Sequence, residues 1–93
     1  MKPLFIPLKA EYFDAFERGE KHTEYRRRGP RWNAETCFIG RPVILSRGYG
    51  RQKRMAGFIT GFAYDTAPSK LPGWLDCYGP NAGDAACIRI TLV

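Results

Sequence analysis

A chain of 93 residues has room for one domain, read here as spanning residues 1–93, with a thin core. No stretch approaches the roughly 20 apolar residues of a membrane span, and the proline-interrupted start from Met1 to Lys9 is unlike a signal peptide, so a soluble, cytoplasmic protein with no membrane partner is expected. The formal net charge of +6 is segregated: residues 18–54 hold eleven Lys or Arg against three Glu, and the remainder holds four basic and six acidic residues. That segregation favours a polyanion, RNA or a nucleotide-like ligand, through counterion release.

In chain order, Pro3 to Leu8 alternates and reads as a first strand. Residues 10–18 change to a helical period, with Tyr12, Phe13 and Phe16 on one side and Glu11, Asp14, Glu17 and Arg18 on the other. Asp14 and Arg18 are spaced as an i,i+4 pair, and Gly19 is suited to a left-handed helix stop. Thr23 to Arg27 reads as a second strand, broken by Gly29 to Asn33. Residues 33–41 form a loop or short helical turn. Pro42 to Arg47 is a third strand, and Gly48-Tyr49-Gly50 a turn. Met55 to Tyr64 is a long fourth strand in which Gly57 and Gly61 suggest a bulge or bend. Residues 66–85 are rich in Pro, Gly, Asp and Asn and read as a mostly irregular connection, with a brief helical turn over Leu71 to Cys77 that has Pro72 at its first position. Ala86 to Val93 alternates and closes the sheet. The fold expected is α+β, mainly β: a small, partly closed β-barrel of about five strands with one N-terminal helix.

The chemistry concentrates in Gly19-Glu20-Lys21-His22-Thr23-Glu24-Tyr25-Arg26. On a strand, alternation puts Glu24 and Arg26 on one face and Thr23, Tyr25 and Arg27 on the other, while Lys21 in the preceding turn reaches over either. A cation and a carboxylate on one wall of a cleft suit a polar, anionic or nucleobase-like ligand. Lys21 is a candidate nucleophile or proton shuttle in a low-dielectric pocket, a ligand contact, or an ion-pair partner of Glu24. Glu24 is a candidate general base or an acceptor for an exocyclic amine. Arg26 and Arg47 are candidates for bidentate phosphate binding or base stacking. Arg27, Arg28, Arg31, Arg51, Lys53 and Arg54 read as a phosphate-attracting rim or an ordinary solvated face; an acidic protein partner would use the same rim. Trp32 and Tyr49, and less so Tyr25, are aromatics interleaved with it that either stack on a base or belong to the core.

Other chemistries lack their residues. Cys37, Cys77 and Cys87 show no CxxC spacing, and His22 is the sole histidine, so three reduced, partly buried thiols are expected and no metal or cofactor is implied. With one histidine and no nucleophile elbow, Ser46 has no triad. No Gly-Lys-Ser/Thr follows Gly48-Tyr49-Gly50, so it is not a phosphate-binding P-loop.

The order of strand, helix, Gly19-x-Lys21-x-x-Glu24-x-Arg26 and a glycine-punctuated β region resembles the ASCH family of the PUA-like superfamily over roughly residues 3–65. Gly40 to Ser46 looks like that family's small loop and central strand, and Met55 to Ile59 like its next strand. The resemblance implies a β-barrel with a cleft over the lysine-bearing motif that binds RNA, a nucleotide or a modified base. Some family members are amidohydrolases that remove the acyl group from N4-acetylcytidine, and some are described as ribonucleases. The catalytic lysine of the amidohydrolase members maps onto Lys21. Those members carry threonine where this chain has Glu24, and their further carboxylate lies in a late helical segment where Asp76 is the nearest residue. The resemblance thus implies a binding domain, with a small hydrolase on the same cleft as the alternative.

Overall fold

The computed structural model describes residues 1–80 and 83–93. Five strands form one mixed sheet: β1 (Leu4–Leu8), β2 (Thr23–Arg27), β3 (Pro42–Arg47), β4 (Arg54–Asp65) and β5 (Ala85–Leu92). Helix α1 (Ala10–Glu17) follows β1, and a 3-10 turn (Pro68–Lys70) and helix α2 (Trp74–Tyr78) lie between β4 and β5. The sheet order is β1-β3-β4-β5-β2, with β1 parallel to β3 and every other pair antiparallel. This is the expected α+β, mainly β fold: the five strands curl into a half-barrel whose edges are β1 and β2.

Alternation dictates the core. Leu4, Ile6 and Leu8 of β1, Val43 and Leu45 of β3, Ile59 of β4, and Ile88 and Ile90 of β5 point inward. Phe13 and Phe16, three apart on α1, fill the concave side against them, together with Cys37. Among the cysteines only Cys37 is buried, whereas Cys77 is exposed, so the thiols are not uniformly half-buried as expected.

Three local features position the site. First, α1 ends at Gly19 with φ +76°, where a side chain would be strained. The amides of Glu20 and Lys21 then both donate to Ala15 O, at 2.9 and 3.2 Å, and hold Lys21 in the turn just before β2. Second, β4 changes register between Ile59 and Gly61, the bend its glycines suggested. Gly57 has a different role: a Cβ there would lie 2.7 Å from Thr91 O, so it permits β5 to approach. Third, Pro68 rather than Pro72 occupies the first helical position in the connection after β4, and α2 starts only after Gly73, whose φ of +75° is left-handed. Residues 81–82 of that connection lie outside the described residues. The Asp14–Arg18 pairing suggested by spacing is replaced: Asp14 binds Arg47 at 3.1 Å, and Arg18 binds Glu20 at 2.6 Å.

The two edges of the half-barrel share no backbone ladder. Guanidinium groups span the gap instead. Arg26 Nη2 of β2 donates to Pro7 O of β1, and Arg31 Nη2 donates to Phe5 O at 3.1 Å. Trp32 packs beside both, its ring centroid 4.8 Å from the Arg26 guanidinium and 5.3 Å from that of Arg31.

Candidate functional site

The floor of the site is Glu24, only 6% exposed. Its position on β2 faces inward opposite Ile88, so the strand period that makes the sheet amphipathic also buries this carboxylate. A buried carboxylate needs partners. Arg26, two residues along the same face, donates its Nε to Glu24 Oε2 at 2.9 Å, and Lys21 Nζ lies 3.7 Å from Oε1. The Glu24–Arg26 pairing is the one predicted by alternation, and the Lys21–Glu24 pair closes it from the turn.

Lys21 is confined by aromatic rings. Its ammonium lies 4.9 Å from the centroid of Tyr25, 5.3 Å from Tyr12 and 5.6 Å from Phe16, contacts that stabilise a cation where water is scarce. Burial pushes its pKa below the usual 10.5, Glu24 opposes that shift, and Arg26 adds a smaller downward push. Burial likewise raises the phenol pKa values of Tyr12 and Tyr25.

Above this floor lies a cavity of about 490 Å³, large enough for a nucleoside-sized ligand. Tyr12 of α1, Tyr25 of β2, and Trp74 and Tyr78 of α2 form its walls, with Tyr49 at the mouth. The Trp74 and Tyr78 rings are 4.4 Å apart and tilted by 43°. Tyr49, on the turn between β3 and β4, is 83% exposed. The lining also contains Lys9, Asp76 and Cys77. The Cys77 sulfur beside Lys9 raises the lysine's pKa. With Lys9, Lys21 and Arg26 against Glu24 and Asp76, the charged lining side chains carry a net of about one positive charge. Among the described residues, no three His, Cys, Asp or Glu side chains converge as a metal-ligand cluster.

Of the candidate residues from the sequence, Lys21, Glu24, Arg26 and Tyr49 line this cavity. Arg28, Arg31, Trp32, Arg47 and Arg51 lie outside its lining. Arg28 stacks on Tyr64, 3.9 Å from the ring centroid, and faces Asp84 at 3.6 Å. Arg31 and Trp32 belong to the seam between the barrel edges. Arg47 ties β3 to α1 through Asp14, whose carboxyl it holds below the usual range. Arg51 is exposed in the turn after β3. The α2 wall, Trp74, Cys77 and Tyr78, was not anticipated: these residues sit in a Pro- and Gly-rich stretch without periodicity, and only tertiary packing brings them over Lys21. Asp76, singled out by the resemblance alone, also lines the cavity.

No protein-family model matches this chain, and no curated protein matches it.

Proposed function

We propose that this chain is a binding domain of the ASCH type, in the PUA-like superfamily, that holds RNA through a flipped or modified base, or a nucleotide-like ligand, in the cavity over Lys21 and Glu24. The observation that carries the reading is the buried Glu24 carboxylate, clamped by Lys21 and Arg26 at the floor of an aromatic-walled cavity. A carboxylate has about four lone-pair sites, so Glu24 keeps capacity to accept hydrogen bonds from an exocyclic amine after meeting its two cations. Tyr12, Tyr25, Trp74 and Tyr78 offer ring faces to a planar ligand. Lys21 donates to a carbonyl or phosphate oxygen on the same ligand.

One observation favours a second reading, a small hydrolase. The lowered pKa of Lys21 increases its neutral amine fraction, and Asp76 lines the same cavity. An amine beside a carboxylate can shuttle a proton during hydrolysis of an acylated nucleoside, as in the N4-acetylcytidine amidohydrolases that the motif resembles, or during RNA cleavage.

Calorimetric titration with cytidine, N4-acetylcytidine and a short RNA tests the first reading: binding by the wild type and its loss in Glu24→Gln are expected, and no binding of any of the three overturns it. Mass spectrometry of the same mixtures tests the second. Product formed by the wild type and absent with Lys21→Ala makes the chain a lysine-dependent enzyme; unchanged ligands leave it a binder.

A further inference from the structure

Tyr49 stands at the cavity mouth, yet the cavity leaves most of its ring unused. The residue is almost fully exposed, and none of the ring–ring or cation–ring contacts among the described residues involves it. One exposed tyrosine on a loop is ordinary; the way this one is held is not. The turn between β3 and β4 is pinned at three points. Arg47 N donates to Lys53 O at 3.1 Å across its base, Gly48 N donates to Leu8 O at 2.8 Å, and the fully buried Ser46 donates its Oγ to Gly50 O at 3.0 Å. Gly48 takes the left-handed backbone, φ +72°, that turns the chain just before the ring. Leu8 itself lines the cavity, so the second of these bonds fixes the Tyr49 turn to the cavity wall. A ring presented on a fixed turn gives up little backbone freedom when a planar group stacks on it.

Place and charge select what the ring is for. A lid role, with Tyr49 folding over the ligand, is opposed by the pinned turn and by the four rings of Tyr12, Tyr25, Trp74 and Tyr78 that already wall the cavity. A purely apolar partner would meet a charged turn: residues 47–54 hold four cations and no acid. Asp14 and Glu17 pair with Arg47 and Lys53, and Arg51 and Arg54 have no carboxylate partner among the described residues. A linked nucleotide supplies both a base for the ring and a phosphate for the cations. An acidic peptide with an aromatic side chain would meet the same groups, but only a nucleotide is tied covalently to a base held in the cavity. Joined to that base's sugar by a single phosphodiester, the next nucleotide must leave through the mouth, where Tyr49 stands.

We propose that the site takes a strand of at least two nucleotides, with one base in the cavity and the neighbouring base stacked on Tyr49 at its mouth. This rests on the cavity reading and narrows it from any nucleotide-like ligand to a strand. The two fail separately: the cavity is read by binding of a nucleotide that has no second base, the Tyr49 platform by the affinity that the second base adds.

Calorimetric titration with the ribodinucleotides CpU and UpC tests it, each compared with an abasic analogue that keeps the second sugar and the phosphate but lacks the uracil. Uracil has no exocyclic amine for Glu24, so cytosine takes the cavity in both. In the strand direction that the site accepts, the complete dinucleotide is expected to bind about tenfold tighter than its abasic analogue. That ratio is expected to fall to about one in Tyr49→Ala and to be kept in Tyr49→Phe, with circular dichroism showing both variants folded. Equal affinity of dinucleotide and analogue in both directions overturns the inference alone, since the analogues still read the cavity. A ratio that survives Tyr49→Ala also overturns it, and if both compounds weaken together Tyr49 acts as a lid. Tighter binding of the peptide Glu-Tyr-Glu than of either dinucleotide overturns it in favour of an acidic protein partner. Absence of all binding to the wild type, abasic analogues included, overturns the cavity reading and this inference with it.

Discussion

Glu24 is the residue on which the site turns, because two neighbouring cations depend on it. Lys21 and Arg26 are each only 17% exposed at their side chains, so removing the carboxylate leaves them short of both charge and hydrogen bonds. Glu24→Gln keeps the shape and one acceptor oxygen; it is expected to cost about 2 kcal/mol, read as a lower urea midpoint at unchanged slope. The same substitution has an electrostatic signature. Glu24 raises the Lys21 pKa against the effect of burial, so its loss lowers that pKa further, measurable from the 15Nζ shift of Lys21 during a pH titration. Linkage fixes the sign for stability. A lysine whose folded pKa is depressed holds fewer protons folded than unfolded between its folded value and 10.5, so its contribution grows more favourable as pH rises through that window. Tyr12 and Tyr25, with raised pKa values, act oppositely: what they contribute is present below their ordinary 10.0 and lost as pH rises through the folded value. Comparison with Lys21→Met separates the two effects. The stability of wild type relative to this variant is expected to rise toward the ordinary lysine pKa, measured by urea unfolding along an alkaline series; a flat difference would mean that Lys21 is not buried in solution.

At the level of elements, α2 supplies one wall of the cavity, and Gly73 at its start permits the approach to the Tyr12 side chain of α1. The Gly73 backbone is left-handed, and a Cβ there would overlap the Tyr12 hydroxyl. Gly73→Ala therefore meets two penalties, the roughly 1–2 kcal/mol of the left-handed conformation and the overlap. In a Tyr12→Phe background the overlap goes and the conformational penalty stays. The double-mutant cycle is expected to show Gly73→Ala costing more with Tyr12 present, and Trp74 fluorescence should shift red only where the hydroxyl forces α2 away. This contact was not legible in the sequence. Lys21 and Glu24 were, because a turn glycine, a lysine and an alternating strand determine one another's placement within a few residues. Phe13 and Phe16 were legible through helical spacing, and Gly61 through its break in a strand pattern. The α2 wall carries no local period, and the seam contacts of Arg31 and Trp32 were not legible because guanidiniums and indoles serve a nucleic acid and a barrel seam by the same donors and ring faces. Their roles in the fold were decided by β1, more than twenty residues away.

For the whole molecule, the decisive feature is how a five-stranded half-barrel deals with its two edges. An unpaired strand edge invites pairing with another chain, and β1 and β2 share no ladder. Arg26 and Arg31 cover the β1 edge by donating to Pro7 O and Phe5 O, and Trp32 packs beside both guanidiniums. Because Arg26 also holds Glu24, closure of the barrel and alignment of the cavity floor depend on one side chain. Arg31 touches only the seam, so the two functions separate by substitution. Arg31→Ala is expected to lower stability by about 1 kcal/mol and leave the Lys21 titration as in wild type. Arg26→Leu is expected to cost more, about 3 kcal/mol, and to shift that titration, since it releases Glu24. The double variant exposes the β1 edge along its length. Sedimentation velocity over a concentration series should then show self-association absent from either single variant. A double variant that stays at wild-type sedimentation at every concentration would show that the seam arginines hold the site together without guarding the edge.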